Sequence, residues 1–530
     1  MTQDKSSIAP AEALKDENQS LHLETAEPDL KANNYGREQP HVSTAKVLAT
    51  NPRIIALSIF ANVGALMYGF DTMSLSLCLS MTAFEIQFGQ ATASGYVIPA
   101  WWQSLWNALP QLSCMLGAWG IGHFSDWFGR RPCFFLAGLI SSAGVALLYI
   151  ADTSPIFLAG KIVNGFALGM ALATGQSYVS EISPMKLRGI LLSAYSFSMN
   201  VGLMIAASIA FSRLSILNPS SYKVLFAIGW VWSGILILFA WVIPESPYHL
   251  VRQKKNEKAH RALQRICNKE ENTSAVLADI IRVFEHEEQL AGESKNSTFK
   301  ECFTGTNWRR TRIILFCNGL SQMMGATFQS NGPYFLVMAG MSSSQVGMIV
   351  EIGLAFAITS SIITWFVLGV VGRRKIILSG ICLSCLFYLI MGIASSFPSS
   401  TKSLWCIGVA LELTWWVMGP VIGPAMGIAG EVSQARLRAK SQSIGFAFNY
   451  FFSTVWNVVV PYMFNTDEGN LGGKMGWIFL ATSLISLVVV FFDFPETKGR
   501  SYEVLDEMFE QKIPARRFAK WQCGDEASEL

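Results

Sequence analysis

A charged eight-residue pattern occurs twice in this chain. It is first Glu181-Ile-Ser-Pro-Met-Lys-Leu-Arg188 and, 250 residues later, Glu431-Val-Ser-Gln-Ala-Arg-Leu-Arg438. Each copy follows a long apolar segment and keeps its acid and its last arginine seven positions apart. Two more motifs recur at offsets of 251 and 243 residues: Pro244-Glu245-Ser246 with Pro495-Glu496-Thr497, and Gly129-Arg130-Arg131 with Gly372-Arg373-Arg374. Hydrophobic segments duplicated together with their charged joints are typical of a membrane protein built from two related halves.

The composition also indicates a membrane protein. Of the 530 residues, 51% are apolar and only 15% are charged, whereas soluble domains carry about 25% charged residues. Apolar runs of roughly 20 residues, enough to cross ~30 Å of hydrocarbon, recur through the middle of the chain. The net charge of +3 gives no indication of a nucleic-acid partner.

The reactive residue types show no catalytic pattern. The ten cysteines are scattered, mostly inside apolar segments, which is not the pattern of a disulfide framework. No nucleophile, metal-ligand or cofactor-binding constellation is visible, and the chain has no phosphate-binding loop of an ATPase. We therefore expect no enzyme activity, no metal and no cofactor, and energy for any work must come from a gradient.

The apolar segments predict an all-α membrane protein with twelve transmembrane helices in two pseudo-symmetric six-helix halves. The predicted spans are 54–80, 95–122, 133–151, 155–179, 189–211, 222–243, 311–336, 345–370, 374–394, 403–430, 441–463 and 475–493. The expected domains are a disordered cytoplasmic N-terminus at 1–50, the first half at 51–243, a cytoplasmic linker at 244–310, the second half at 311–494 and a cytoplasmic tail at 495–530. The linker is expected to contain amphipathic helices because four apolar residues recur at helical spacing: Ala259, Ala262, Leu263 and Ile266.

Basic residues predict the orientation in the membrane. They cluster in the loops after the even-numbered spans, and the opposite loops are nearly free of Lys and Arg. Since cytoplasmic loops carry the excess of positive charge, both termini are expected in the cytoplasm.

Two charged residues of the first half lie deep inside predicted spans, where a charge costs about 2.5–3.5 kcal/mol on insertion scales. Asp71 is about 17 residues, or ~25 Å, from the cytoplasmic start of the first span. Lys161 of the fourth span lies at a depth of ~20 Å from the same face. The matching depths predict an Asp71–Lys161 ion pair inside the bundle. The pair has two possible roles: it couples transport to protons, or it only holds two helices together. Coupling is possible because a carboxylate that gains and loses its partner during a conformational change can bind and release a proton.

Several polar and aromatic residues within the spans are candidates for contacting a ligand. Glu351 and Glu412 are the deep acids of the second half, and Glu412 is the stronger candidate because Thr414, Trp415 and Trp416 follow it. Aromatic rings beside amides suit sugars, whose C–H faces stack on rings while their hydroxyls take hydrogen bonds. The candidate substrate-binding residues are Trp102, Gln103, Asn107, Asn200, Gln322, Gln329, Asn331, Glu412, Trp416, Asn449 and Asn457. For any single amide, contact between helices is the more common role.

The repeated charged motifs lie at the cytoplasmic ends of the predicted helices. Arginine–carboxylate pairs there can close an inner gate and break when it opens. The candidate gate residues are Asp126, Arg130, Arg131, Glu181, Arg188 and Glu245 in the first half, with Arg373, Arg374, Glu431, Arg438 and Glu496 in the second.

Taken together, these motifs resemble the sugar porter family of the major facilitator superfamily. The signatures are Gly122-x-x-x-Asp126-x-x-Gly129-Arg130-Arg131, Pro244-Glu245-Ser246-Pro247 and Pro495-Glu496-Thr497-Lys498-Gly499-Arg500. Within the family the chain is similar to fungal alpha-glucoside (maltose-type) permeases, through Trp102-Gln103, Arg436-Leu-Arg438-Ala-Lys440-Ser441 and Gly473-Lys474-Met-Gly476-Trp477. The resemblance implies the major facilitator fold and proton-coupled sugar uptake by a plasma-membrane protein, which we expect to be monomeric.

The chain departs from that subgroup at positions associated with coupling and sugar binding. Tyr68 stands where the subgroup usually has a Glu three residues before the first-span Asp, and Cys114 stands where it usually has a second-span acid. Ser196 and Met426 stand where the wider family has a Gln and, nearby, a Trp. Three hypotheses follow: a proton-linked sugar transporter, a diverged carrier of a specialised metabolite that acts in uptake or efflux, and a sugar receptor that transports little.

Overall fold

The computed structural model describes residues 51–92, 95–183, 185–213, 216–267, 273–278, 280–282, 299–397, 401–433, 437–464, 469–498, 500 and 502–521. The predicted disorder of residues 1–50 concerns a segment outside the described residues. Long apolar helices dominate what is described, as the hydropathy of the sequence predicts.

In the described residues of the first half there are eight helices. They are α1 Pro52–Ala61, α2 Val63–Cys78, α3 Thr82–Phe88, α4 Ala100–Phe128, α5 Arg130–Ile150, α6 Ser154–Ile182, α7 Met185–Phe211 and α8 Ser220–Ala240. A small antiparallel hairpin of β1 (Gln90–Thr92) and β2 (Gly95–Val97) precedes α4, with Gln90 opposite Val97. The predicted start of the second span at residue 95 is therefore wrong, since that residue begins β2 and the helix starts only after Pro99, which is its N-cap.

The described part of the linker contains the short helices α9 (Pro247–Arg252) and α10 (Asn256–Ile266), and residues 273–278 and 280–282 are also helical. The amphipathic prediction for this segment is confirmed. The apolar stripe of α10 packs against Leu250 and Val251 of α9 in one small core, and all four predicted residues are buried.

The second half repeats the pattern after a 3₁₀ turn at Phe299–Phe303. Its helices are α11 Gly305–Met323, α12 Ala326–Ser330, α13 Gly332–Met338, α14 Ser343–Val370, α15 Arg373–Ala394, α16 Thr401–Val432, α17 Arg438–Phe464 and α18 Met475–Asp493. The half begins a few residues before the predicted boundary at 311, because α11 continues N-terminally through Arg309 and Arg310.

The predicted seventh span, 311–336, is a broken helix rather than a continuous one. It consists of α11, α12 and α13. Gly325 adopts φ +83°, a backbone conformation that side chains rarely allow, and a Cβ there would meet the Tyr388 hydroxyl and the Phe479 ring. Pro333 then lies in the first turn of α13, where its missing N–H costs nothing.

Within the described residues, ten helices are long and apolar enough to cross a membrane. The remaining two predicted spans correspond to α4 and to the broken α11–α13 group. Both carry more polar residues, including Gln103, Asn107 and Gln111 in α4 and Arg309, Arg310 and Arg312 in α11.

Equivalent helices have equivalent neighbours in the two halves. Helix α6 packs against α4 and α5, and its counterpart α16 packs against α14 and α15. The pairs α5–α8 and α2–α7 have the counterparts α15–α18 and α11–α17. The halves meet through α4 against α17 and through α7 against α14. The repeat seen in the sequence is thus a repeat of helix packing.

A large apolar core lies at the end of the bundle opposite to the repeated charged motifs. It joins Leu75, Phe84 and Leu203 of the first half to Tyr334 and Leu411 of the second. We call this end the apolar end and the other the charged end.

The tail forms a separate layer on the charged end of the second half. Helix α19 (Tyr502–Glu510) and the segment after it bury Phe509, Phe518 and Trp521 almost completely. Arg310 pairs with Asp506, and Arg500 donates to the carbonyls of Phe518 and Trp521. The tail is therefore part of the folded second half.

Candidate functional site

The predicted ion pair between the first and fourth spans is confirmed. Lys161 Nζ lies 2.6 Å from Asp71 Oδ2, and the lysine side chain is only 2% exposed. Helix α6 supplies the lysine and α2 the aspartate. Because both groups lie in the interior of the first half, each neutralises a charge that hydrocarbon would otherwise disfavour.

A chain of neutral hydrogen bonds extends this pair through the first half. Asn164 donates to Asp71 Oδ1 at 2.9 Å, Ser141 donates to the Asn164 side-chain oxygen at 2.8 Å, and Ser233 lies 3.0 Å from Ser141 Oγ. The network therefore links four helices: α2, α6, α5 and α8. Sequence reasoning missed Asn164, although its position one turn after Lys161 is a signal that could have found it.

Beside Asp71 lies a small cavity of about 20 Å³, room for one water molecule. Its walls include Asp71, Ser74, Asn164 and Trp232. Most of the side chains that line this cavity are apolar, and Asp71, Ser74, Ser141 and Asn164 are its polar members. Its volume admits a water molecule next to the Asp71 carboxylate, a position from which a proton can reach Asp71.

The second half has an uncharged counterpart of this network. At an offset of 250, Leu411 occupies the place of Lys161 and Thr414 that of Asn164. Thr414 and Tyr388 both lie within hydrogen-bonding distance of the Gln329 amide nitrogen, at 2.8 Å and 3.2 Å. Charge is thus present in only one of the two equivalent positions.

Most of the predicted substrate-binding amides are engaged in contacts within the protein. Gln103 donates to the Ile98 carbonyl and to the Tyr334 hydroxyl, and Asn200 donates to Ser361 Oγ. Asn331 and Asn457 donate to carbonyls of their own helical segments. Together with Gln329 these side chains are less than one-tenth exposed.

Three predicted amides are half-buried instead. Asn107 donates to the Gln103 carbonyl, and Gln322 lies 3.5 Å from the Asn449 side-chain oxygen. Gln322 also accepts a hydrogen bond from Thr327. The structure therefore brings Gln322 and Asn449 together, from α11 and α17, and separates them from Gln103 at the apolar end.

The other predicted binding residues occupy several places. The Trp102 ring stacks between Trp101 and Trp106 near the start of α4, with centroid distances of 4.2 and 5.7 Å. Glu412 lies against Gly353 of α14, so this carboxyl group is at the α14–α16 interface. Trp416 packs on the core at the charged end of the second half. Glu351 is half-buried in α14.

A cluster of phenols lies where the two halves meet in the middle of the bundle. It contains Tyr68 of α2, Cys114 of α4, Tyr195 and Met199 of α7, and Tyr450 of α17. We call it the tyrosine cluster.

Two contacts hold this cluster together. The Tyr68 hydroxyl is 3.0 Å from the Gln111 amide nitrogen, and Cys114 Sγ is 3.8 Å from the Tyr450 hydroxyl. Two of its members, Tyr68 and Cys114, are the positions at which the sequence departs from the maltose-type pattern. The contributions of Tyr195 and Tyr450 had no local sequence signal, because only the packing of α7 and α17 brings them to α2 and α4.

At the charged end of the first half, the predicted gate residues form one network. Arg130 Nη2 lies 2.6 Å from Glu181 Oε1. The Glu245 carboxylate accepts from the backbone N–H groups of Arg130 and Arg131, at 2.7 and 3.2 Å, and so caps the start of α5. Gly129, at φ +92°, leaves room for this carboxylate, since a Cβ would lie 2.6 Å from Glu245 Oε2.

The second half repeats this network contact by contact. Arg373 Nη2 lies 2.7 Å from Glu431 Oε1, and Glu496 accepts from the N–H groups of Arg373 and Arg374 at 3.0 and 3.2 Å. Both arginine–glutamate pairs join helices of the same half. The side chains of Asp126, Arg188 and Arg438 lie outside the described residues.

The chain matches a known family along most of its length. A family model described as "Sugar (and other) transporter" matches residues 57–509. The chain is 31% identical over 472 residues to the MFS transporter fmqE of Aspergillus fumigatus, covering 88% of each sequence. It is 27% identical over 496 residues to the general alpha-glucoside permease of Saccharomyces cerevisiae, covering 92% of this chain and 80% of the permease.

Solved structures show the same architecture. The proton:xylose symporter XylE bound to 6-bromo-6-deoxy-D-glucose superposes with a TM-score of 0.67 at 19% identity, covering 86% of this chain and 99% of XylE. Inward-open XylE from E. coli gives a TM-score of 0.66 at 20% identity. The predicted twelve-helix, two-halved fold is confirmed by this likeness. This chain therefore belongs to the sugar (and other) transporter family of the major facilitator superfamily, and it is a multi-pass membrane transporter rather than an enzyme.

Proposed function

We propose that this protein is a proton-coupled secondary transporter that carries a small uncharged solute by alternating access. The observation that carries the proposal is the Asp71–Lys161 pair, a salt bridge 2.6 Å long in the interior of one half. Its counterpart position in the other half holds Leu411, so the charges are not a general requirement of the fold.

The pair can link protonation to movement. While the two side chains are in contact, the Lys161 ammonium is the counter-charge of the Asp71 carboxylate. When α2 and α6 move apart, the carboxylate loses that partner and takes up a proton from the neighbouring cavity. Protonation in turn leaves the buried ammonium without its counter-charge, which favours the rearranged helices. Proton binding and the change of conformation thus promote one another.

The first candidate substrate is a sugar of the alpha-glucoside type, moved inward. Support comes from the permeases that the chain resembles and from the half-buried amides Gln322 and Asn449, which lie together between α11 and α17. Amides in such a place can donate to and accept from hydroxyl groups.

The second candidate is a specialised metabolite, moved inward or outward. Support for it comes from the tyrosine cluster, because Tyr68 and Cys114 replace two acids of the maltose-type pattern and lie beside two further rings there, Tyr195 and Tyr450. The two candidates differ in the cargo and in the directions in which it is moved, and the proton-coupled cycle is common to both.

We further propose a monomer in the plasma membrane with both termini in the cytoplasm. The basic motifs all lie at one end of the bundle, which the positive-inside rule assigns to the cytoplasmic face. The arginine–glutamate networks of the charged end then become parts of the inner gate, each stiffening one half while the halves move relative to each other.

The proposal is tested with the full chain in proteoliposomes that contain a pH-sensitive dye. Candidate substrates are added with and without a proton uncoupler. Uptake above the outside concentration, accompanied by proton entry and abolished by the uncoupler, is expected for the wild type. Asp71→Asn should retain exchange of the substrate but lose accumulation, and undiminished uphill uptake by this variant would refute the role of Asp71.

A further inference from the structure

We propose that the tyrosine cluster is the cargo site and that its cargo is a planar, uncharged aromatic compound. This inference rests on the proposed function, because it names the substrate class of the transporter. It selects between the two candidate cargoes from the chemistry of the site itself.

Rings and sulfur make up most of the cluster, and they pack on the aliphatic side chains of Ala65 and Leu172. Tyr68, Tyr195 and Tyr450 are half-buried, and Met199 packs beside them. Phenol rings and thioether sulfur both make favourable contacts with aromatic faces, and rings prefer offset-stacked or edge-to-face arrangements with each other. Its polar groups are three phenol hydroxyls, the Cys114 thiol and the Gln111 amide, all uncharged. Such a surface suits a flat neutral ring system with one or two hydrogen-bonding atoms.

A sugar would require more from this site than its polar groups provide. Each sugar hydroxyl that leaves water needs a directional partner, because burying an unpaired hydroxyl is unfavourable. Yet the amide nitrogens of Gln103, Asn200, Gln329, Asn331 and Asn457 are buried and already donate hydrogen bonds within the protein. An aromatic cargo avoids this demand.

The position of the cluster also links cargo to movement. It takes side chains from α2, α4 and α7 of the first half and from α17 of the second, and the Cys114–Tyr450 contact crosses between the halves. A ring inserted between Tyr68 and Tyr450 would therefore touch both moving bodies. Tyr68 precedes Asp71 by three residues on α2, so the cargo would contact the same helix that carries the proton-binding carboxylate.

Equilibrium dialysis of the purified full chain tests the inference. The flat neutral probe is tritiated coumarin and the sugar is tritiated maltose. Detergent micelles without protein are the blank. Coumarin is expected to bind at least tenfold more tightly than maltose. Tyr195→Leu and Tyr450→Leu should each weaken coumarin binding about tenfold, while Tyr195→Phe and Tyr450→Phe should keep it within about threefold. Tyr462→Leu, an exposed tyrosine on the same helix as Tyr450, is the matched control and should bind as the wild type.

The inference is overturned if maltose binds as tightly as coumarin or more so, or if folded leucine variants bind coumarin with unchanged affinity. Should a leucine variant fail to fold, Tyr195→His keeps a smaller ring and should still weaken binding by about threefold or more. The two proposals can fail separately, because the cargo class is measured by coumarin and maltose binding to the wild type, whereas proton coupling is measured by proton entry in the Asp71→Asn variant. Maltose-driven proton entry that depends on Asp71 would refute the aromatic cargo and support the proton coupling. Coumarin binding as expected, together with proton entry that does not depend on Asp71, would support the aromatic cargo and refute the proton coupling.

Discussion

At the scale of single residues, the two halves differ at one pair of equivalent positions. Asp71 and Lys161 form a buried pair, whereas the uncharged Leu411 stands at the place equivalent to Lys161. A buried ion pair is seldom needed for stability, because an apolar pair of similar size does the same with no desolvation cost. The retention of this ion pair at only one of the two equivalent positions is therefore consistent with a role in the transport cycle.

A double-mutant cycle separates the cost of losing one charge from the worth of the pair. Asp71→Asn leaves the Lys161 ammonium buried and unpaired, which should cost about 3–5 kcal/mol of stability. Adding Lys161→Met should recover most of that loss, although proton-driven accumulation stays absent in both variants. Melting temperatures in detergent measure the effect, and a double variant less stable than Asp71→Asn alone would show that the pair itself holds the fold.

At the scale of elements, the two charged motifs act as caps for equivalent helices. Glu245 accepts from the first N–H groups of α5, and Glu496 does the same for α15. Free N–H groups and the positive end of the helix dipole both favour a carboxylate at this place. The same interaction is therefore present in both halves: a carboxylate in the loop after the last helix caps the start of an earlier helix of that half.

Removing the two caps should have matching effects. Glu245→Ala and Glu496→Ala each lose two charge-assisted hydrogen bonds at a half-buried helix start, so each should lower stability by about 1–3 kcal/mol. Arg261→Ala, at an exposed position in the middle of α10, is the control and should melt at the same temperature as the wild type. The melting temperatures of the three variants are compared. If either Glu245→Ala or Glu496→Ala melted at the wild-type temperature, the two halves would not be equivalent at this end.

At the scale of the whole molecule, the halves are joined along two seams, α4 against α17 and α7 against α14. Ser104 Oγ donates to the Val458 carbonyl at 3.0 Å near the apolar end, and the Cys114–Tyr450 contact lies deeper on the same seam. Alternating access requires the halves to part at one end at a time, so the seam near Ser104 must open once in each cycle.

A disulfide across this seam should stop the cycle. In a variant whose native cysteines are replaced, Ser104→Cys with Val458→Cys should cross-link under mild oxidation and reduce transport to background, and a reducing agent should restore it. Each single-cysteine variant should transport in both conditions. Full transport by a quantitatively cross-linked double variant would show that this end of the bundle does not open.

Much of the fold and part of the candidate site could be predicted from the sequence. Hydropathy alone predicted twelve spans, and depth along two helices predicted that Asp71 meets Lys161. The errors have local causes: Pro99 delays the start of α4, and the positive φ of Gly325 breaks the seventh span into pieces. The caps on α5 and α15 could not be predicted as contacts, because Glu245 is more than a hundred residues from the helix start that it caps.

The sequence by itself determined the number of spans, the duplication and the buried charges, since each of these depends on local apolar length or on the cost of a charge in hydrocarbon. Only the tertiary structure decided which polar side chains are engaged in packing and which remain half-buried at the meeting of the halves. The sequence does not distinguish the two roles of an amide in a span. Asn200 donates to a neighbouring helix, whereas Gln322 lies beside another half-buried amide. The direction of each side chain follows from how the helices rotate and pack, and that is a property of the assembled bundle.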